Sequence, residues 1–231
     1  MKKLVILLIL IVNLLANEAK MNYYIAYDYI KTTKSIDILS KEYKEALLSS
    51  EKAVKLDSSN VEYLQTYAVL LLQMKSVPDA QVMALESLGM AIEISPNNDK
   101  LKLLRIQALF NQEDYHATIT YIKKVLEKKP IYINHAWLIN IYLASSILVG
   151  DIENSVSYMQ TQINIHPENY GAHIIALILY NTLEKEYSTD FIRQQQLIIK
   201  GQLKRVYKKY QHRLDDSIKK YIENLLKDEL S

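Results

Sequence analysis

Five histidines, His116, His135, His166, His173 and His212, are the side chains in this 231-residue chain best suited to hold a metal ion or shuttle a proton near neutral pH. A helix that binds a metal through two imidazoles places them three or four residues apart on one face. The nearest pair here, His166 and His173, is seven apart and interrupted by Pro167, so no metal site is expected. The absence of cysteine removes thiolate ligands, disulfides, cysteine nucleophiles and any lipidated N-terminal cysteine. A serine nucleophile needs a nearby base and a strained turn that presents it. The chain has no Gly-x-Ser-x-Gly element, and its four glycines stand alone, which also leaves nothing for a glycine-rich phosphate cradle. Asp215 and Asp216 are a carboxylate pair that acid–base chemistry could use, but adjacent acids before a helical run read as a cap. No cofactor is expected, and no enzyme.

What must position these residues is a helical scaffold. Apolar residues make up 49% of the chain and charged residues 23%, enough for a sizeable core. Four Gly and four Pro are too few for the many turns of an all-β chain. The N-terminus reads differently. Lys2 and Lys3 precede a run from Leu4 to Ala16 that is apolar apart from Asn13. That length suits a secretory signal and is short of the roughly 20 residues of a membrane span. Ala16 and Ala19 are the small residues where cleavage would fall, although Leu14 and Asn17 two positions upstream spoil the preferred small-x-small pattern. Residues 1–19 are therefore expected to be a signal peptide and the protein periplasmic. The alternative is an uncleaved inner-membrane anchor with the rest facing the periplasm. Without residues 1–16 the chain carries 26 basic and 26 acidic residues. Neutrality of that kind argues against nucleic-acid binding through bulk charge.

Self-comparison gives the strongest signal. Four segments end alike: Ala53-Val-Lys-Leu-Asp-Ser-Ser-Asn60, Ala91-Ile-Glu-Ile-Ser-Pro-Asn-Asn98, Val125-Leu-Glu-Lys-Lys-Pro-Ile-Tyr132 and Gln162-Ile-Asn-Ile-His-Pro-Glu-Asn169. Equivalent positions Ser58, Pro96, Pro130 and Pro167 are spaced by 38, 34 and 37 residues. Proline after an apolar-periodic run stops a helix, and self-similarity at this period marks a stack of repeated units. Upstream of each stop, small or apolar residues recur on one helix face: Ala46 and Ala53; Ala84, Leu88 and Ala91; Thr118, Ile122 and Val125; Ser155, Met159 and Gln162.

On these residues the chain resembles the tetratricopeptide repeat (TPR) family, whose unit is two antiparallel helices repeating every 34 residues. Leu64-x-x-Tyr67-Ala68-x-x-Leu71 matches the first-helix pattern of the second unit, and Gly150-Asp151, Asp114-Tyr115 and Glu42-Tyr43 fit turns between paired helices. The third unit departs from the pattern, with Lys102, Arg105 and Ile106 at its expected large and small positions. Insertions are expected near Lys75–Gln81 and Ile131–His135. The resemblance covers residues 23–185. It implies an all-α fold, a right-handed superhelical solenoid of antiparallel helix pairs across residues 20–187, with residues 188–231 as a helical C-terminal cap. Helices are predicted near 22–39, 42–57, 60–75, 79–94, 99–112, 115–129, 134–149, 152–165, 168–185, 190–212 and 215–229.

In the resembled family the first helices of successive units line a concave groove that holds a protein or peptide. Carried over, that face is Glu62, Gln65, Val69 and Gln73 in the second unit, Lys100, Gln107 and Asn111 in the third, and Trp137 and Asn140 in the fourth. Trp137 is the strongest anchor candidate, because tryptophan is enriched at binding hot spots. The eighteen tyrosines are read mainly as helix–helix contacts. One charge asymmetry stands out. From Phe191 to Leu214 there are seven basic residues, Arg193, Lys200, Lys204, Arg205, Lys208, Lys209 and Arg213, and no acidic one. Such a patch suits an anionic membrane surface or an acidic partner, or is a solvated helix face. The expected function is a non-catalytic protein- or peptide-binding scaffold or assembly factor of a bacterial envelope complex, its partner unidentified. The alternative is a membrane-surface or cell-wall-associated factor that uses the basic helix and a retained anchor.

Overall fold

A computed structural model describes residues 2–187 and 189–227, and of residues 2–12 the backbone alone. The described residues form helices and connecting turns. The chain divides into two compact units, residues 1–114 and 115–231, each with its own packing.

The first unit holds α1 (Lys2–Thr32), α2 (Lys41–Leu56), α3 (Val61–Leu71), α4 (Pro78–Ile94) and α5 (Asp99–Asn111). Side-chain caps set most of its helix starts. Ser40 accepts from the Tyr43 amide, Asn60 from the amides of Glu62 and Tyr63, and Asn98 from the Lys100 amide, while Pro78 opens α4 where its missing N–H costs nothing. The repeated stop thus has a second part: two residues after Ser58 and Pro96 comes the asparagine that starts the next helix.

Small residues govern the packing. Ala80, Ala84, Leu88 and Ala91 of α4 are buried against Leu64, Ala68 and Leu71 of α3. Ala26 of α1 meets Tyr43 and Ala46 of α2, and Ala19 shares a cluster with Ala53 and Tyr63. Polar side chains then satisfy the carbonyls that helix ends leave exposed. Tyr43 Oη donates to Leu70 O at 2.7 Å near the end of α3, and Ser87 Oγ adds a second bond at 2.9 Å to Leu64 O within the same helix.

Two boundaries differ from expectation. The first helix, predicted over 22–39, begins by Lys2 and ends at Thr32. Beyond it Asp37 accepts from the Leu39 amide, a local turn that competes with helix. The helix predicted over 60–75 stops at Leu71 because fully buried Gln81 takes over its end, donating to Leu71 O and Met74 O at 3.3 and 3.0 Å. That turn falls where the insertion near Lys75–Gln81 was expected.

The second unit holds α6 (Tyr115–Lys128), a 3₁₀ turn (Pro130–Asn134), α7 (Ala136–Leu148), α8 (Ile152–Ile165), α9 (Tyr170–Glu186), α10 (Asp190–Tyr210), a second 3₁₀ turn (Gln211–Arg213) and α11 (Asp216–Leu225). The first 3₁₀ turn absorbs the insertion expected near Ile131–His135. Gly150, at φ 68°, makes the left-handed turn between α7 and α8. Glu113 adopts the same conformation at φ 62° after α5, one 37-residue spacing earlier. Helix α10, expected within a cap, packs along α9 as the second member of a further antiparallel pair. Asp215 caps α11 as expected, accepting from the Ile218 amide at 2.9 Å.

The entry to α9 passes close to the first 3₁₀ turn. Asn169 Nδ2 donates to Pro130 O, Tyr170 Oη to Asn134 O, and the Gly171 amide to Asn134 Oδ1. A Cβ on Gly171 would stand 2.0 Å from Ile133 O, a backbone atom that cannot step aside alone. Gly171→Ala is therefore expected to cost about 3 kcal/mol or more of stability. Urea unfolding checks this, and a midpoint within error of wild type would show that the crossing is looser than described.

Candidate protein-binding surfaces

The sequence singles out one face on the first helix of each pair. In the first unit the structure gathers four of those residues around one recess of about 250 Å³ between α3 and α5. Val69, Gln73, Gln107 and Asn111 line it together with Leu72 and Leu104, which sequence reasoning did not select. Gln73 lies in the turn beyond α3 and donates to Val69 O at 3.2 Å. Asn111 is a structural tie as well as a lining residue. Its Nδ2 donates to Gln81 Oε1 at 3.2 Å and to Leu72 O at 3.4 Å, while its Oδ1 accepts from Gln107 Nε2 at 2.7 Å. The result is an aliphatic floor rimmed by carboxamides, with Lys75 at its edge. Exposed Glu62 and Lys100 and half-buried Gln65 are not among the residues lining this recess.

In the second unit Trp137 and Asn140 are both exposed on α7. Asn140, with Ala136 and Ile139, faces a recess of about 140 Å³ whose opposite wall is Ser217, Ile218 and Tyr221 of α11. Trp137 does not line it. A larger recess of about 470 Å³ continues toward the starts of α7 and α9, where His135 and Tyr170 face Arg213, Leu214 and Asp215. The C-terminal helix thus borders Asn140, one of the two α7 residues that the sequence reading assigned to a partner.

No protein-family model matches the sequence, and no curated protein matches it. Solved structures do. The crystal structure of MamA protein superposes with a TM-score of 0.56 at 14% identity, covering 84% of this chain and 94% of that one. The chain has the tetratricopeptide-repeat fold. MamA from Desulfovibrio magneticus RS-1, from residue 41 to its end, gives 0.52 at 12% identity over 83% of this chain and 94% of that one. YrrB, described as a TPR protein with an unusual peptide-binding site, is a looser likeness at 0.45 and 17% identity over 71% and 78%. At these identities the likeness is one of fold.

On this TPR fold the basic segment separates into parts with different surroundings. Arg193 pairs with Glu184 at 3.2 Å and reaches Asp190 at 3.8 Å. Arg213 borders the large recess. Lys200 and Lys204 are half-buried, whereas Arg205, Lys208 and Lys209 are exposed on the outer side of α10. That side also exposes Phe191, Leu197 and Ile198, an apolar stretch the sequence reading did not single out. The tyrosines divide too: Tyr43, Tyr67, Tyr142 and Tyr180 are buried between helices, while Tyr24 and Tyr187 are exposed.

Among the described residues no group of three or more His, Cys, Asp or Glu is placed to hold a metal ion. His173 is fully buried in α9. Its Nδ1 lies 2.9 Å from Asn169 O, which can only accept, so Nδ1 carries a proton. Burial pushes its pKa below 6.5, outweighing the Asn169 contact. The stability this neutral ring contributes is complete above about pH 6.5 and is lost as pH falls from there toward the folded value, with a slope of at most about 1.4 kcal/mol per pH unit. Chemical unfolding at pH 7.5 and 5.5 should show a smaller loss for His173→Phe than for wild type, and equal losses would contradict the assignment.

Proposed function

We propose that this chain is a non-catalytic scaffold that binds a protein or peptide along the first helices of its pairs, as an assembly factor for a bacterial envelope complex. The α3–α5 recess carries the reading. Carboxamides both donate and accept, as a peptide backbone does, and the aliphatic floor of Val69, Leu72 and Leu104 gives one apolar side chain a dry seat. Neither group ionises or attacks a bond, and both suit the recess to holding a ligand. Asn111 is fixed by three hydrogen bonds before any partner arrives, which lowers the ordering cost of binding. In-cell photo-crosslinking from positions 73 and 107 is expected to trap a partner that position 86, exposed on α4, does not. Equal trapping from all three would place binding elsewhere.

Export belongs to the same reading. Ala19 is buried, and Glu18 pairs with Lys52 at 2.6 Å, so a cut after Ala16 spares all of these contacts, while a cut after Ala19 loses the Ala19 and Glu18 contacts and keeps those of Ala26. A second reading, contact with an anionic membrane surface, is favoured by the outer side of α10, where Phe191, Leu197 and Ile198 precede Arg205, Lys208 and Lys209. Fractionation with intact-mass measurement tests both points together. Surface contact predicts a chain lacking residues 1–16 that leaves the membrane fraction in high salt. A salt-resistant, full-mass chain indicates a retained anchor, and a processed chain found only in the soluble fraction excludes the surface contact.

A further inference from the structure

We infer that the α7 face of the second unit is a receptor for an amphipathic helix, that α11 is its resident occupant, and that a partner helix with the same apolar spacing replaces it. This deepens the protein-binding reading, on which it rests, by naming the kind of partner this face accepts.

Helix α11 buries Ile218 and Ile222, one turn apart, and Leu226, the residue that follows the helix, continues the buried spacing. Tyr221 stands beside them on the wall facing Ala136, Ile139 and Asn140. The opposite side carries Lys220, Glu223 and Asn224, all exposed. The seat is imperfectly filled. Recesses of about 140 and 470 Å³ stay open between α11 with its preceding turn and the starts of α7 and α9. Both recesses open to solvent, so a longer or bulkier helix has contacts to gain there.

The structure also gives α11 the means to leave as a piece. Its stabilising polar contacts are largely its own: Asp215 accepts from the Ile218 amide and the Ser217 hydroxyl, and Lys219 pairs with Asp216. It follows a 3₁₀ turn and an extended Leu214, where rotation of a few dihedrals swings the segment away. Tyr207 Oη donates to Glu223 and ties the helix back to α10. A helix of ten residues does not persist alone in water, so a displaced α11 unfolds and the exchange is two-state.

A fluorescent synthetic peptide of residues 214–231 tests this against the full chain. Tethered α11 competes at an effective concentration in the millimolar range, so wild type should bind the peptide weakly. An Ile218→Asp, Ile222→Asp chain expels its own helix and should bind the wild-type peptide at least tenfold more tightly. The same chain should ignore a peptide carrying those two substitutions. In the cysteine-free background, Asn140→Cys with Tyr221→Cys joined by a short bis-maleimide holds α11 in place and should abolish peptide binding, which the unjoined form retains. The inference is overturned if the expelled variant, folded by circular dichroism, binds no tighter than wild type, or if the joined chain binds as well as the unjoined one. Because the α3–α5 recess lies in the other unit, crosslinks from positions 73 and 107 would survive either failure, whereas their absence alongside tight peptide binding would retire the recess and keep the receptor.

Discussion

Where Ala84 and Ala91 of α4 meet Leu64, Ala68 and Leu71 of α3, the helices approach through alanines whose side chains end at Cβ. The stacking of the first unit depends on that closeness. A paired helix cannot bury its apolar stripe alone, so each pair needs the next. Larger residues at these positions would cost about 1–3 kcal/mol apiece through overpacking. In the second unit Ser155 and Met159 are buried in the corresponding stretch of α8, and Ser146 Oγ lies 2.9 Å from Ser155 Oγ. A serine pair does there what alanines do in α4, keeping side chains short while satisfying the hydroxyls.

Close approach leaves helix ends facing one another, and their carbonyls need donors. Gln81 is the main one in the first unit. It closes the end of α3 through Leu71 O and Met74 O, and its own oxygen accepts from Asn111. One buried carboxamide therefore couples the turn after α3, the start of α4 and the end of α5. The recess beneath Gln73 and Gln107 is a product of that coupling, so its shape is set by the fold before any ligand is present. An unsatisfied buried carboxamide would cost about 1–3 kcal/mol, which explains why the network is complete on the Gln81 side.

Much of this was legible in the sequence, and the part that was not has a physical reason. The spacing of Ser58, Pro96, Pro130 and Pro167 and the small residues upstream revealed the helix pairs, because packing repeats leave periodic marks. The asparagine two positions after the stop was in view, yet its role as the next helix's cap needed the backbone. Helix ends at Thr32 and Leu71 were misjudged because Asp37 and Gln81, side chains outside those helices, determine them. Of the expected binding residues, Val69, Gln73, Gln107 and Asn111 do converge, whereas Glu62, Gln65 and Lys100 do not line the same recess. Trp137 stands out on residue type, whereas it is Asn140 that borders the recess beside α11, and no local pattern announces which face a terminal helix will seek.

The molecule therefore combines pairs locked by their seams with one terminal helix seated on a face it incompletely fills. Hydrogen–deuterium exchange on the full chain tests that contrast most directly, because it reads local opening against global unfolding. The amides of residues 218–226 should exchange through their own opening, at least a hundredfold faster than those in the cores of α7 and α9. Exchange of α11 in step with α7 and α9 would contradict the account, making it a fixed part of the fold rather than an occupant that gives way.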